Sequence, residues 1–238
     1  MTSRRAPSRP LPDPARCAPP AKDRSVTRLY LVTPRDIDLA TFPALLEATL
    51  AAGDVASLLV ALDAGSDMTR RRIAEILAPI AQARGVALLV RNDTRAAGRA
   101  GADGVHVDTG IADLAAALDT FHPDGIVGCG GIATRHEAME VGETRADYLF
   151  LGDLDRAEEP TPLPRALDLA EWWVPLFEPP VVVMGGNDLA SLDEVVATGA
   201  EFVALRDAVW NHGEGPAAAV AAVERRLAEL AAPAATKP

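Results

Sequence analysis

The chain reads as a single (β/α)8 TIM barrel with a disordered N-terminal extension. Three observations predict it. From residue 29 onward, apolar runs of four to eight residues alternate with stretches of helical periodicity. The alternation recurs about every 25 residues, the pace of a compact barrel. Glycine-alanine-acid tripeptides or near variants, Gly101-Ala-Asp103, Arg145-Ala-Asp147 and Gly199-Ala-Glu201, each precede a strand, as an internal quasi-repeat would.

The strands expected are Leu29–Thr33, Val55–Leu62, Val86–Arg91, Gly104–Val107, Gly125–Cys129, Tyr148–Leu151, Val181–Met184 and Phe202–Leu205. Runs such as Val181-Val-Val-Met184 are apolar throughout, which suits parallel strands buried on both faces. The helices between them are Thr41–Ala52, Met68–Arg84, Thr94–Ala100, Ile111–Phe121, Thr134–Val141, Leu163–Leu176 and Leu189–Thr198, with Pro216–Leu230 last. A doubly wound open sheet is the alternative. It would want a glycine-rich turn after the first strand, where this chain has Thr33-Pro34.

Composition narrows the class. Of 238 residues, 49% are hydrophobic but only 4% aromatic, so the expected core is aliphatic. Residues 1–28 hold seven basic side chains against two aspartates, a net of +5, so with −11 overall the remainder carries −16. An acidic body excludes nucleic acid as the main partner. Six prolines in those 28 residues predict a disordered tail, with the barrel over 29–232 and a short C-terminal tail over 233–238. No long apolar run predicts a membrane span, and Cys17 and Cys129 show no paired spacing. A reducing, cytoplasmic setting follows as the expectation. Trp172-Trp173 read as core packing with one ring open to a second copy, so a homo-oligomer is admitted.

Polar chemistry gathers at the ends of strands three and four. Arg91-Asn92-Asp93 closes one apolar run, and Gly101-Ala-Asp-Gly-Val-His-Val107 opens and nearly completes the next, ending at Asp108. Barrels place their sites at such strand ends. These residues, with Leu29-Tyr-Leu-Val-Thr33, Ala146-Asp-Tyr-Leu-Phe-Leu-Gly152, Val183-Met-Gly-Gly186 and Gly199-Ala-Glu-Phe-Val-Ala204, resemble the thiamine phosphate synthase family and its tautomerase-like relatives. The pieces span nearly all of residues 29–210 in the family's order. The resemblance implies a (β/α)8 barrel that joins a pyrimidine diphosphate to a thiazole phosphate, releasing diphosphate with the help of Mg2+.

The resemblance breaks where the family carries charge. A Gln-x-Arg-x-Lys cluster after strand two corresponds here to Leu58-Leu-Val-Ala-Leu62. A metal-binding Gly-Gln-x-Asp after strand four becomes Asp108-Thr-Gly-Ile111, and a Ser/Thr-rich turn after strand five becomes Cys129-Gly-Gly-Ile132. A Thr-x-Thr-Lys loop after strand six becomes Asp155-Arg-Ala-Glu-Glu159. The acids Asp63, Asp93, Asp108 and Asp153 all follow strands and should face the mouth.

Candidate roles follow. Asp93 and Asp108 are the expected Mg2+ ligands, since hard cations take oxygen donors, although Asp93 equally suits the N-cap of the helix at Thr94. Asn92 is a candidate for substrate or phosphate. Gly185 and Gly186, with Arg206 after strand eight, form the expected phosphate site; the alternative is a capping turn beside a surface arginine paired to Asp207 or Glu201. Arg91 is a candidate cation or a partner of Asp63 or Asp108. Arg91, Arg156 and Arg206 are the mouth cations the sequence offers. His106 reads as a satisfied barrel histidine. The expected ligand is a phosphorylated small molecule. The alternatives to a synthase are a degenerate barrel that only binds such a molecule, and a metal-dependent isomerase or lyase.

Overall fold

The computed structural model describes residues 26–62, 66–156 and 159–232. Most of the expected N-terminal tail, the residues 233–238 and Asp63 lie outside the described residues.

Eight parallel strands close into a barrel in sequence order: β1 Arg28–Val32, β2 Val55–Val60, β3 Ala87–Arg91, β4 Gly104–Val107, β5 Ile126–Ile132, β6 Tyr148–Leu151, β7 Val181–Met184 and β8 Phe202–Leu205. Pairing of Leu29 with Val203 and Leu31 with Leu205 closes the ring between β1 and β8. Around it run α1 Phe42–Leu50, α2 Asp67–Gln82, α3 Thr94–Ala100, α4 Ile111–Phe121, α5 Arg135–Gly142, α6 Pro164–Trp173, α7 Leu192–Ala197, α8 Asp207–Trp210 and α9 Pro216–Ala231. Among the described residues no helix is long and apolar enough to cross a membrane.

Strand alternation divides the apolar residues into two cores. Outward positions such as Leu29, Leu31, Val105, Val107, Leu149 and Val183 pack against the helices. Inward positions, including Tyr30, Val32, Leu59, Leu89, Tyr148, Phe150, Val182 and Met184, fill the lumen. Each buried aliphatic chain contributes about 1.5–3 kcal/mol. The outer layer is mainly aliphatic, with Phe42 and Trp173 as buried aromatics, while the lumen is richer in rings. There Tyr30 meets Tyr148 and Phe150 edge to face at centroid distances of 5.8 and 5.9 Å.

The quasi-repeat has a structural reason. Asp103 accepts a hydrogen bond from Leu88 N–H at 2.8 Å, Asp147 from Val127 N–H at 2.7 Å, and Glu201 from Val181 N–H at 2.9 Å. Each acid thus satisfies a donor at the start of the preceding strand, on its first or second residue, at the lower rim. Gly101 precedes the first of these, holding φ 67° at the C-cap of α3, where a side chain would be strained.

Three elements differ from the sequence expectation. β5 runs on to Ile132 through the glycine pair that read as a turn, with a register shift against β6 between Cys129 and Ile132. Gly131, at φ 72°, absorbs the extra residue of this bulge. The helix expected over Leu189–Thr198 begins as a 3-10 turn, Leu189–Ser191, with the Asp188 side chain accepting from Ala190 N–H. α8, only four residues long, gave too short a periodic signal to be expected. Of the tryptophan pair, Trp173 is buried and stacked on Phe177, while Trp172 lies under the Arg135 guanidinium at 4.9 Å.

Candidate active site

The C-terminal ends of β3 and β4 are tied into one polar unit. Arg91 continues the inward alternation of Leu89 and emerges at the mouth beside His106. Asn92 turns the chain with φ 54°, a left-handed conformation that asparagine tolerates better than most side chains. Its carboxamide clasps Asp108 twice: Asn92 Nδ2–H donates to Oδ1, and Asp108 N–H donates to Asn92 Oδ1 at 3.0 Å. Arg91 Nε–H donates to the other oxygen of Asp108 at 2.7 Å.

The far end of the Arg91 fork is also filled. Its two terminal nitrogens donate to the two oxygens of Asp155 at 2.9 and 3.1 Å. Asp155 belongs to a 3-10 turn, Leu154–Arg156, in the loop after β6. Arg91, beside two carboxylates, is held above the ordinary arginine range despite burial, which is the largest influence and opposes this. The Arg91 hydrogen bonds pull the Asp155 carboxyl below its usual value, with Arg206 and Arg35 adding to the effect.

Two mouth arginines escaped the sequence reading. Arg35, three residues beyond β1, donates to the Asp155 carbonyl at 2.8 Å. Arg70, in the first turn of α2, donates to Asp67 at 2.6 Å and to Asp93 at 3.3 Å. Neither carries a sequence signal, because one lies in a loop and the other on a helix face rich in arginine. Arg70, Arg91, Asn92 and Leu62 line a recess of about 190 Å³. Arg156, by contrast, pairs with Glu159 on the surface.

Asp93 does what its position before α3 suggests: one oxygen accepts from Ala96 N–H at 2.8 Å, and the other faces Arg70. As Mg2+ ligands, Asp93 and Asp108 do not fit. Each accepts from a protein donor at both oxygens, and one donor of each pair is a guanidinium that would repel a second cation. Among the described residues no three His, Cys, Asp or Glu side chains group to hold a metal ion.

Arg206 is almost completely buried, at 1% exposure. It donates to the Leu154 carbonyl at 2.8 Å and the Ala61 carbonyl at 3.1 Å. The arginine thereby bolts the end of β2 to the turn that presents Asp155. The glycine turn is likewise engaged internally. Gly185 N–H donates to Ala204 O and Gly186 N–H to Ser191 Oγ, and a side chain at Gly186 would strike the Pro160 carbonyl at 2.1 Å. A larger recess of about 480 Å³ beside this turn is lined by Asp188 and Asp207, which disfavour an anion.

Beneath the mouth lies a buried polar chain. Tyr30 and Tyr148 hydroxyls meet at 2.9 Å, and the Tyr148 hydroxyl meets His106 Nδ1 at 3.0 Å. Running the protons from Tyr30 to Tyr148 to His106 satisfies both phenols and leaves Nε2–H facing Gly130. A Cβ at residue 130 would sit 2.7 Å from that nitrogen. Burial lowers the His106 pKa to about 4; Asp108 opposes and Arg91 reinforces the shift. The ring is neutral at physiological pH. His106 is therefore lumen structure on one nitrogen, as the sequence suggested; Nε2 has no hydrogen-bond partner among the described residues. Cys129, on β5, is buried, which pushes its thiol up to about 12.

These features sit on a chain with clear relatives. It is 38% identical over 218 residues to the thiamine-phosphate synthase of Hyphomonas neptunium, covering 89% of this chain and 98% of that one. It is also 38% identical over 199 residues to that of Rhodospirillum centenum, covering 83% and 96%. Among solved structures, thiamine phosphate pyrophosphorylase from Pyrococcus furiosus superposes with a TM-score of 0.72 at 22% identity, over 87% of this chain and 98% of that one. That likeness speaks for the barrel. The sequence model of thiamine monophosphate synthase matches residues 29–209, from the first residues of β1 to the short helix after β8. With that match and relatives at this identity over nearly their whole length, the chain belongs to the thiamine monophosphate synthase family.

Proposed function

We propose that this chain joins a pyrimidine diphosphate to a thiazole phosphate, at the mouth built by the loops after β1, β2, β3, β4 and β6. The bond from the pyrimidine carbon to the diphosphate oxygen breaks, and that carbon bonds to the thiazole ring. The diphosphate departs with the electron pair. The observation that carries the reading is the near full-length kinship with thiamine-phosphate synthases, supported by arginines gathered where a leaving anion must be held.

The sequence suggested that the charges for this chemistry were missing. The reading is supported by Arg91 at the end of β3, already a candidate from the sequence, and by Arg35 beyond β1 and Arg70 on α2. A guanidinium fork matches two phosphate oxygens at once and stays charged throughout the physiological range. Charge developing on the diphosphate oxygens as the bond breaks is what such donors stabilise. The lumen below, floored by His106, Tyr148 and Phe150, excludes water from the reacting carbon.

The test is direct. Purified protein incubated with the pyrimidine diphosphate and thiazole phosphate should yield thiamine phosphate and one diphosphate per turnover, followed by chromatography. A folded protein that makes no product, with or without divalent cations, contradicts the proposal.

A further inference from the structure

Two facts about the mouth belong together. The carboxylates that would form a divalent-cation shell are neutralised by protein donors, and the guanidinium fork of Arg91 is filled by a carboxylate in the geometry a phosphate would take. We propose that Arg91, with Arg70 across the recess, forms a diphosphate seat that works without a resident divalent cation, and that Asp155 occupies this seat until substrate displaces it. The inference rests on the function proposed above and names how that site holds its anion.

The geometry separates the two ends of the fork. The Nε end of Arg91 is fixed to Asp108, which Asn92 also holds from the other side. Asp108 is only 12% exposed, so this end orients the guanidinium and stays put. The outer edge donates both terminal N–H groups to Asp155, whose side chain is 58% exposed. A pair exposed on one side exchanges readily with a competing anion in solution. A phosphate oxygen pair reproduces the same two hydrogen bonds and brings more charge than the carboxylate it replaces. Arg70 lines a recess with Arg91 and donates there to Asp67 and Asp93.

Asp155 is presented by a built device. Its backbone N–H is held by Asp153 at 2.9 Å, its carbonyl by Arg35, and the preceding carbonyl of Leu154 by buried Arg206. Displacing the carboxylate need not move this turn, because all of these bonds use other groups. The side chain alone rotates away, and Arg35 stays beside the vacated edge.

The experiment is titration calorimetry of the full-length protein with inorganic pyrophosphate, in EDTA and again with excess Mg2+. Expected are binding in EDTA, a loss of affinity of about 10-fold or more in Arg91→Gln, and a several-fold gain in Asp155→Asn. The Asp155→Asn protein, altered at an exposed side chain, keeps the test valid if Arg91→Gln fails to fold. Binding that appears only with Mg2+, or an Asp155→Asn affinity equal to or weaker than the parent's, overturns the proposal. Pyrophosphate binding as expected without thiamine phosphate formation would sink the synthase reading and leave the seat standing.

Discussion

His106 shows how far one residue can be understood from its neighbours. Its strand parity places it in the lumen, and burial between Tyr148 and Phe150 keeps it neutral. The unfolded chain binds a proton there near pH 6.5, whereas the folded one resists until about pH 4. Between those values the unfolded state holds more protons, so this contribution to stability is complete above pH 6.5 and is lost as pH falls toward 4. A shift of that size corresponds to about 3 kcal/mol. Denaturant unfolding measured across pH 4–7 should show the fall in the parent and a flatter profile in His106→Phe. Equal slopes in both proteins would assign the pH dependence to other groups. The pair Asn92-Asp93 was legible as site material, but the bonds each makes were not. Sequence adjacency cannot reveal that Asn92 reaches across to Asp108 while Asp93 turns back to cap α3 and meet Arg70.

At the scale of elements, the glycine-alanine-acid repeat is the clearest case of sequence encoding a joint. Asp147 holds the N–H of Val127, the second residue of β5, with its side chain, and its own N–H returns to the Val127 carbonyl at 2.8 Å. Removing the carboxylate leaves a strand donor without its charged acceptor, which costs about 1–3 kcal/mol. Asp147→Ala should lower stability by that amount, and Asp103→Ala should add to it nearly independently, since the two acids serve different strand pairs. Urea unfolding of both single variants and the double variant checks this; no loss in either single variant would remove the repeat's structural role. Element ends were read less well than element existence. β5 was cut short because two glycines look like a turn, and only the pairing with β6 shows them to be a bulge. The 3-10 start of the segment after β7 depends on an Asp188 cap that periodicity does not register.

For the molecule as a whole, the fold was legible because barrel closure repeats one local rule eight times, and each apolar run reports it independently. The site was less legible because charge there is assembled from separate elements. Arg35 lies in the loop after β1, Arg70 in the first turn of α2 and Arg91 at the end of β3, and no linear motif joins them. Arg206 was legible as a mouth cation by position, yet its donors serve two backbone carbonyls and hold the β6 loop against β2. The acidic balance of the chain does not set the charge at the mouth, because potentials near a site are set by local pairs and not by net charge.

The central claim is that the Arg91 fork holds the departing diphosphate. Steady-state kinetics of thiamine phosphate formation by the parent, Arg91→Lys and Arg91→Gln test it most directly. Losing the charge-assisted bonds should lower kcat/KM for the pyrimidine diphosphate by about 10- to 100-fold in Arg91→Gln, with a smaller loss in Arg91→Lys. A folded Arg91→Gln enzyme that keeps the parent's kcat/KM would contradict the account.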